Sequence, residues 1–448
     1  MSWQDISAEA KQAVLDSIPE AWRIPKHNLP SDSQLDVTGF PAQCGLLSQL
    51  ELEITDSFAV EIVKNVADGE WKAEDVTRAF CKRAAVAHQV VNCLTVTFFD
   101  EAIEQAKGLD EYLARTGKVK GPLHGLPVSL KDNFNLKGKI SSVGFTAWAT
   151  EPMEEESTIV GILRDLGAVQ YVKTNVPTAM MIAESVNNTY GRTVNPMNRS
   201  MTSGGSSGGE SALIAMRGSP LGVGTDIGGS LRIPAACTGI YTLKPAHGRF
   251  PHFDARSGMA GQEAIPAVHG PMARSLDDIK LWATSVVGAA PWLKDPKCMP
   301  IPYRTVDLKP KLKLGIMWND GVVMPTPPVK RALSHTVETL RSKGHEIVEW
   351  SHEDHGALVK VLMRLFVADG GKSVRKVLES ANEPWRPEMK GYEEATELGV
   401  YDLWQLQKER TILAKRYLDR WAACEGLDAI LCKLLIDANR SDMALIFC

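Results

Sequence analysis

The chain predicts an α/β protein with a helical layer at its N-terminus, on three observations. From residue 126 onward, short apolar runs alternate with segments of helical periodicity, the order that builds β–helix–β crossovers. Ahead of that point helical patterns dominate. Between them lies the stretch 202–234, TSGGSSGGESALIAMRGSPLGVGTDIGGSLRIP, with nine glycines and six serines around two apolar runs, 212–216 and 221–223. A flexible linker would be polar throughout. Glycine clusters joined to packed runs instead mark two close backbone approaches, where N–H groups can line a site.

Residues 2–17 have helical periodicity and stop before Pro19, and a Pro- and Asp-punctuated stretch to about Gly45 predicts an extended arm. Helical patterns follow at 57–67 and 73–87, with Gly69 between them. A third starts at Asp100, a good N-cap type, and sets Ile103, Ala106, Leu109 and Leu113 on one stripe. The run LPVSLK (126–131), bounded by Gly125 and by Asp132 and Asn133, opens the predicted sheet. A helix over 157–166, closed by Gly167, and a strand over 168–172 come next. Ser207 and Glu210 ahead of an apolar run have the form of a capping box, so the first glycine cluster is expected to open a helix. Residues 221–225 read as a strand leading into the second cluster, and Ser275 with Asp278 starts a helix through Val287. Beyond a Pro-rich connection (291–310), strands at 312–317, 346–350 and 427–432 and helices at 329–343 and from Asp402 continue the alternation. The expected division is an N-terminal helix and arm over 1–56, one α/β body over 57–432 and an atypical tail over 433–448.

At 448 residues the chain is long enough to bury a large core. Its 44% hydrophobic and 23% charged residues are ordinary for a soluble protein, and a net charge of −4 without any basic stripe argues against a nucleic-acid partner. Eight scattered cysteines without a CxxC pair read as reduced thiols, not as a disulfide framework or a zinc site. MSWQDISAEAKQ is acidic and amphipathic, unlike a secretory signal, and no apolar run is long enough to span a membrane. The expected location is cytoplasmic.

Three side chains stand out for chemistry. Lys131 ends an apolar run, where loss of water would lower its pKa and make it a base; a lone strand-end lysine more often reaches to solvent. Ser206 lies in GGSSG at a predicted helix start, and Ser230 lies in DIGGS, where consecutive N–H groups from Ile227 on could converge on an oxyanion. Either loop alone could be a tight turn. Two of them, separated by a helix and a strand, point to the catalytic centre of a serine hydrolase.

These motifs carry a resemblance. GGSSGGE, then GVGTDIGGSLRIPA with Ser230 24 residues after Ser206, resembles the amidase signature family, and GPLHGLPVSLKDN, with Lys131 75 residues before Ser206, resembles its lysine-bearing strand. FCKRAAVAHQVVNCLT, YVKTNVP, NNTYGRTVNP, LKPAHGRFP, HGPMARSLDD and GHEIVEW are similar to the fungal acetamidase-type branch, and together the likeness spans nearly all of residues 1–432. The resemblance implies an amidase-signature fold, a large mixed and mostly parallel β-sheet flanked by helices. It implies hydrolysis of a carboxamide to a carboxylate plus ammonia or an amine, with Ser230 as nucleophile, Ser206 beside a cis peptide bond as relay, and Lys131 as base. Ile227, Gly228 and Gly229, with Ser206, would line the oxyanion and substrate side, while Asp226 and Arg232 would hold the loop in shape. The implied partner is a small-molecule amide, without cofactor, metal, nucleic acid or membrane span; a homodimer is left open.

Gly204–Gly208 also fits G-x-S-x-G, the nucleophile elbow of an α/β-hydrolase esterase built on Ser206, with His247, His252, His269, His335, His345, His352 and His355 downstream. That reading leaves the second glycine loop and the lysine strand unexplained. Ser373 and Lys376 match S-x-x-K without an accompanying K-T-G, and Gly222-x-Gly224 lacks the third glycine of a dinucleotide fingerprint. After Cys432 the sequence departs from the family, which continues with further strands and helices. The departure predicts a C-terminal truncation, and an inactive or unstable remnant stands as the alternative to an active enzyme.

Overall fold

The run PVSLK, buried at every position, is an inner strand of the larger sheet in a computed structural model that describes residues 1–433. In chain order the strands of the first part are β1 (Leu94–Thr97), β2 (Pro127–Lys131) and β3 (Val169–Thr174). They are followed by β4 (Val186–Asn187), β5 (Gly191–Arg192), β6 (Val194–Asn195), β7 (Asn198–Thr202), β8 (Leu221–Asp226), β9 (Tyr241–Thr242) and β10 (Val268–Ala273). Six of them form one sheet in the order β1-β3-β2-β8-β10-β9, while β4 with β5 and β6 with β7 make two short ribbons. β2 is parallel to both β3 and β8, whereas β1, β10 and β9 are joined antiparallel. The sheet is therefore mixed, as expected, but only its middle is parallel. The sequence reading missed the flanking strands β1, β9 and β10. β10 hides because Gly270 and Pro271 sit inside it, residue types that ordinarily argue against an inner strand.

Helices cover this sheet. The helix Ala73–Val91 is buried along most of its length, and it carries Arg83 into the core, where the guanidinium reaches Met216 O, Thr55 Oγ1 and Asp56 Oδ1 at 3.0, 2.7 and 2.7 Å. The helices Trp3–Asp16, Gln49–Asp56, Ala59–Ala67 and Phe99–Thr116 make up the predicted N-terminal layer. Gln49–Asp56 had no place in the sequence reading, and the third helix begins at Phe99, with Phe98 at the cap position instead of Asp100. The arm between the first two helices is pinned by backbone bonds, Val37 N to Pro196 O at 2.8 Å and Arg199 N to Leu35 O at 2.9 Å.

The chain forms two units. The first takes in Met1–Ala260, Ala267–Tyr303 and Val374–Pro387; the second takes in Gly261–Pro266, Arg304–Ser373 and the chain from Glu388 on. Residues 1–56 thus belong to the same unit as the sheet, and a boundary falls at 303–304, inside the body that the sequence reading kept whole. The Pro-rich connection there gave no clue, because strand-and-helix alternation looks alike on both sides of it. The second unit has its own parallel sheet of β11 (Lys313–Met317), β12 (Glu346–Glu349) and β13 (Leu427–Cys432), in the order β12-β11-β13. Ile316 packs there on Leu333 and Val337 of the helix Pro327–Ser342. The tail expected over 433–448 lies, apart from Lys433, outside the described residues.

Cys44, Cys81, Cys93, Cys237, Cys298 and Cys424 are free thiols. No helix among the described residues is long and apolar enough to cross a membrane.

Candidate active site

Three neighbouring pieces of the larger unit deliver the residues of interest. β2 ends in Lys131, β8 leads into the loop of Ser230, and the helix Gly208–Ala215 starts just after Ser206. Gly204 permits this approach: it has φ +80°, and a Cβ on it would lie 2.6 Å from Pro234 Cα. The peptide bond between Gly205 and Ser206 is cis, as the resemblance implied.

Lys131 is fully buried, and its Nζ is hydrogen-bonded to Ser206 Oγ at 2.6 Å and to Thr225 Oγ1 at 2.7 Å. Ser206 is 1% exposed and Ser230 9%, and both line one cavity. The Ser230 carbonyl accepts from Ser207 N at 3.2 Å, while its hydroxyl has no hydrogen-bond partner among the described residues. The structure therefore joins Lys131 to Ser206 directly and leaves Ser230 Oγ open to the cavity. Thr225, the second partner of the lysine, was missed; its signal was its place five residues before Ser230 on the strand.

The loop of Ser230 is held by one carboxylate. Asp226 accepts from Arg232 Nε at 3.0 Å, Arg232 Nη2 at 2.9 Å, Gly229 N at 2.8 Å and Leu231 N at 3.1 Å. Burial alone would raise the Asp226 pKa, but the bonds and charge of Arg232, with the two N–H groups, hold it below the usual carboxylate range. This is the shape-holding role expected of the pair. It also alters the oxyanion expectation. The Gly229 N–H is already spent on Asp226, whereas those of Ile227, Gly228 and Ser230 have no partner among the described residues.

Burial pushes the Lys131 pKa down to about 7, against the opposing pull of the Asp226 and Glu210 charges. Glu210 itself is fully buried, and burial pushes its pKa up to about 7 although Ser129, Thr174 and the Lys131 charge act to lower it. Its carboxylate accepts from Ser129 Oγ and, at 2.6 Å, from Thr174 Oγ1, and so ties β2 and β3 to the helix Gly208–Ala215. The helix was predicted correctly, but the capping box was not. Ser207 makes no side-chain cap bond, and its hydroxyl instead meets the Thr225 backbone, 3.3 Å from the carbonyl and 3.4 Å from the N–H. The core claims both residues, since Gly222 of β8 is so close to Glu210 that a Cβ there would overlap its Oε1.

The cavity holds about 40 Å³ of free space, the room of a few water molecules. Ile227, Ala179, Met180, Met181 and Met259 form apolar wall, and Asn133, His252, Arg256 and Ser257 are polar residues lining it beside Ser206, Thr225 and Ser230. The elbow reading lacks its base, because no histidine among the described residues is hydrogen-bonded to Ser206. Ser373 stands at a helix start, its N–H bonded to Asp369 Oδ2 at 2.9 Å, which leaves it a structural residue. No cluster of three metal-ligating side chains occurs among the described residues.

Comparison with known proteins gives the family. The Amidase family model matches residues 75–435. The chain is 39% identical to the acetamidase of Emericella nidulans over 445 residues, covering 96% of this chain and 80% of that protein. It is also 39% identical to the acetamidase of Aspergillus oryzae, covering 96% of this chain and 81% of that protein. Among solved structures, a fatty acid amide hydrolase superimposes with a TM-score of 0.93 at 35% identity, over 98% of this chain and 79% of that one. With a matched family model over most of its length, relatives of this identity, and glycine loops that bring a buried lysine onto a serine, the chain belongs to the amidase family.

Proposed function

We propose that the chain hydrolyses carboxamides through a serine acyl-enzyme, with Ser230 as nucleophile, Ser206 as relay and Lys131 as base. The observation that carries this reading is the 2.6 Å bond between Lys131 Nζ and Ser206 Oγ, made in a cavity that Ser230 also lines. A serine hydroxyl needs a base to become a nucleophile, and an amine with a pKa near 7 is neutral often enough to serve. Ser230 Oγ attacks the carbonyl carbon while its proton passes through Ser206 to Lys131. The negative oxygen then meets the free N–H groups of Ile227 and Gly228. Collapse breaks the C–N bond, and the relay returns the proton to the departing nitrogen. Water, deprotonated by the same relay, hydrolyses the ester and frees Ser230 with release of the carboxylate.

The acetamidase relatives favour small aliphatic or arylalkyl amides, and the small cavity favours the smaller of these. The test is ammonia release from acetamide, benzamide and indole-3-acetamide by the purified chain, beside Ser230→Ala. Turnover should fall by about 10³-fold or more in the variant. An active Ser230→Ala protein would overturn the assignment.

A further inference from the structure

Two polar atoms beside the candidate nucleophile are buried without partners among the described residues, Asn133 Oδ1 and His252 Nδ1, and both residues line its cavity. Buried polar atoms in a folded protein are nearly always bonded, so two orphans at one cavity ask for a ligand that supplies what they lack. Neither is loosely placed. Asn133 is 1% exposed, its carbonyl accepts from Arg256 N at 2.9 Å, and it follows Asp132, whose carboxylate is held by Thr95 Oγ1, Ser142 Oγ and Val143 N at 2.7, 2.9 and 2.7 Å. His252 is fixed from behind. Asp295, 2% exposed, accepts from His252 N at 2.6 Å and from Phe253 N at 3.0 Å through one oxygen, and from Lys297 N at 2.8 Å through the other. The imidazole also stacks on His269, with centroids 5.9 Å apart and planes 27° apart.

The missing groups can be named from the chemistry. An oxyanion side lined by N–H donors suits a carbonyl oxygen, but an amide substrate also brings N–H donors on its nitrogen, and these need acceptors. The nitrogen that leaves must receive its proton from the relay, so it has to face the Lys131 side of the cavity. Asn133 lies two residues beyond Lys131, and the lysine's charge is felt at His252. Burial keeps that imidazole neutral, with a pKa of about 4, and with the ring proton on Nε2 the lone pair of Nδ1 is an acceptor. We infer that Asn133 Oδ1 and His252 Nδ1 form the leaving-group subsite, an acceptor pair that binds the two N–H bonds of an unsubstituted carboxamide. This rests on the hydrolase reading above. It makes the pair substrate-binding residues that distinguish an amide from an ester of the same acid, because an ester has no N–H to offer.

The experiment measures kcat/KM for the best amide of the panel and for the methyl ester of the same acid, in the parent, Asn133→Leu, His252→Phe and His252→Gln. The ratio kcat/KM reports acylation for both substrates. Loss of one acceptor should lower the amide value by about 10- to 100-fold and leave the ester value within a factor of about three. His252→Gln, which keeps an acceptor oxygen, should restore most of the loss, and methylation of the substrate nitrogen should mimic it in the parent. Equal losses on amide and ester would mean a structural role and overturn the inference, as would an amide value that does not change. Ester turnover certifies the fold of each variant. A parent that turns over neither substrate, or an active Ser230→Ala variant, would overturn the hydrolase reading itself and so is a distinguishable failure.

Discussion

Lys131 Nζ and Ser206 Oγ lie 2.6 Å apart with 0% and 1% of their residues exposed, so the proton between them is shielded from bulk water. With the amine as base, only its neutral form is productive. kcat/KM for an amide should therefore rise as pH increases through about 7 and level off above it, the position set by burial of Lys131. Glu210 favours the protonated amine through its charge, so Glu210→Gln should move this limb to lower pH. A pH–rate series on both proteins checks it, and a limb that stays put or moves upward refutes the coupling.

Lys131 also predicts a pH dependence of stability. Its folded pKa, about 7, lies below the ordinary value of 10.5, so between those values the unfolded chain holds the extra proton and stability rises with pH. The burden of the buried amine is full below about 7 and fades toward 10.5. Lys131→Met removes it. The stability of the variant relative to the parent should therefore shrink steadily between pH 7 and 10, measured by denaturant unfolding, and a constant difference would contradict the buried-amine account.

Relay members that act as a unit are not additive. Ser206→Ala and Lys131→Met should each lower kcat/KM by about 10²- to 10⁴-fold, and the double variant should be little worse than the worse single one. Losses that multiply would mean that the two residues serve separate steps.

Asp226 and Arg232 form the second pair on which the site depends, with side chains 0% and 15% exposed. Asp226→Ala would remove the carboxylate that meets both Nε and Nη2 of the largely buried Arg232, and would strip the Gly229 and Leu231 N–H groups of their acceptor. Each buried N–H left unsatisfied costs about 1–3 kcal/mol. The variant should show that loss in denaturant unfolding together with reduced turnover, because the same loop carries Ser230. Retained stability with lost turnover would make the pair catalytic instead of shape-holding.

Much of this site is legible in the sequence, and the rest is not, for a physical reason. The glycine loops, the lysine-ended strand and the serines announce themselves through local pattern, since tight backbone approaches demand glycine. Glu210 does not, because a Ser-x-x-Glu pair before an apolar run looks the same whether the carboxylate turns back to cap the helix or inward to Ser129 and Thr174, 81 and 36 residues away. Thr225, Asn133 and His252 stay hidden for the same reason: their roles arise from neighbours distant in the chain. The fold divides likewise. β2, β3 and β8 are apolar runs visible at once, whereas β10 is a strand only because β8 pairs with it, Val268 to Asp226 through Ala273 to Leu221.

His269 carries the last prediction. It is fully buried, both ring nitrogens lack partners among the described residues, and it is enclosed by rings: stacked on Phe250 and His252, edge-on to Phe134 and Trp282. Burial holds its pKa well below 6.5, with the neighbouring His252 acting in the same direction. As pH falls below about 6.5 the unfolded chain takes up a proton that the folded one refuses, so stability is lost toward acid. His269→Phe keeps the ring contacts and removes two unsatisfied nitrogens, each a burial cost of about 1–3 kcal/mol. The variant should be more stable than the parent at pH 7, and its margin in denaturant unfolding should widen as pH drops from about 6.5 toward 4.5. His252, whose folded pKa is about 4, leaves a residual acid slope in both proteins. Parallel pH profiles, or a less stable variant, would mean that a partner satisfies the imidazole after all.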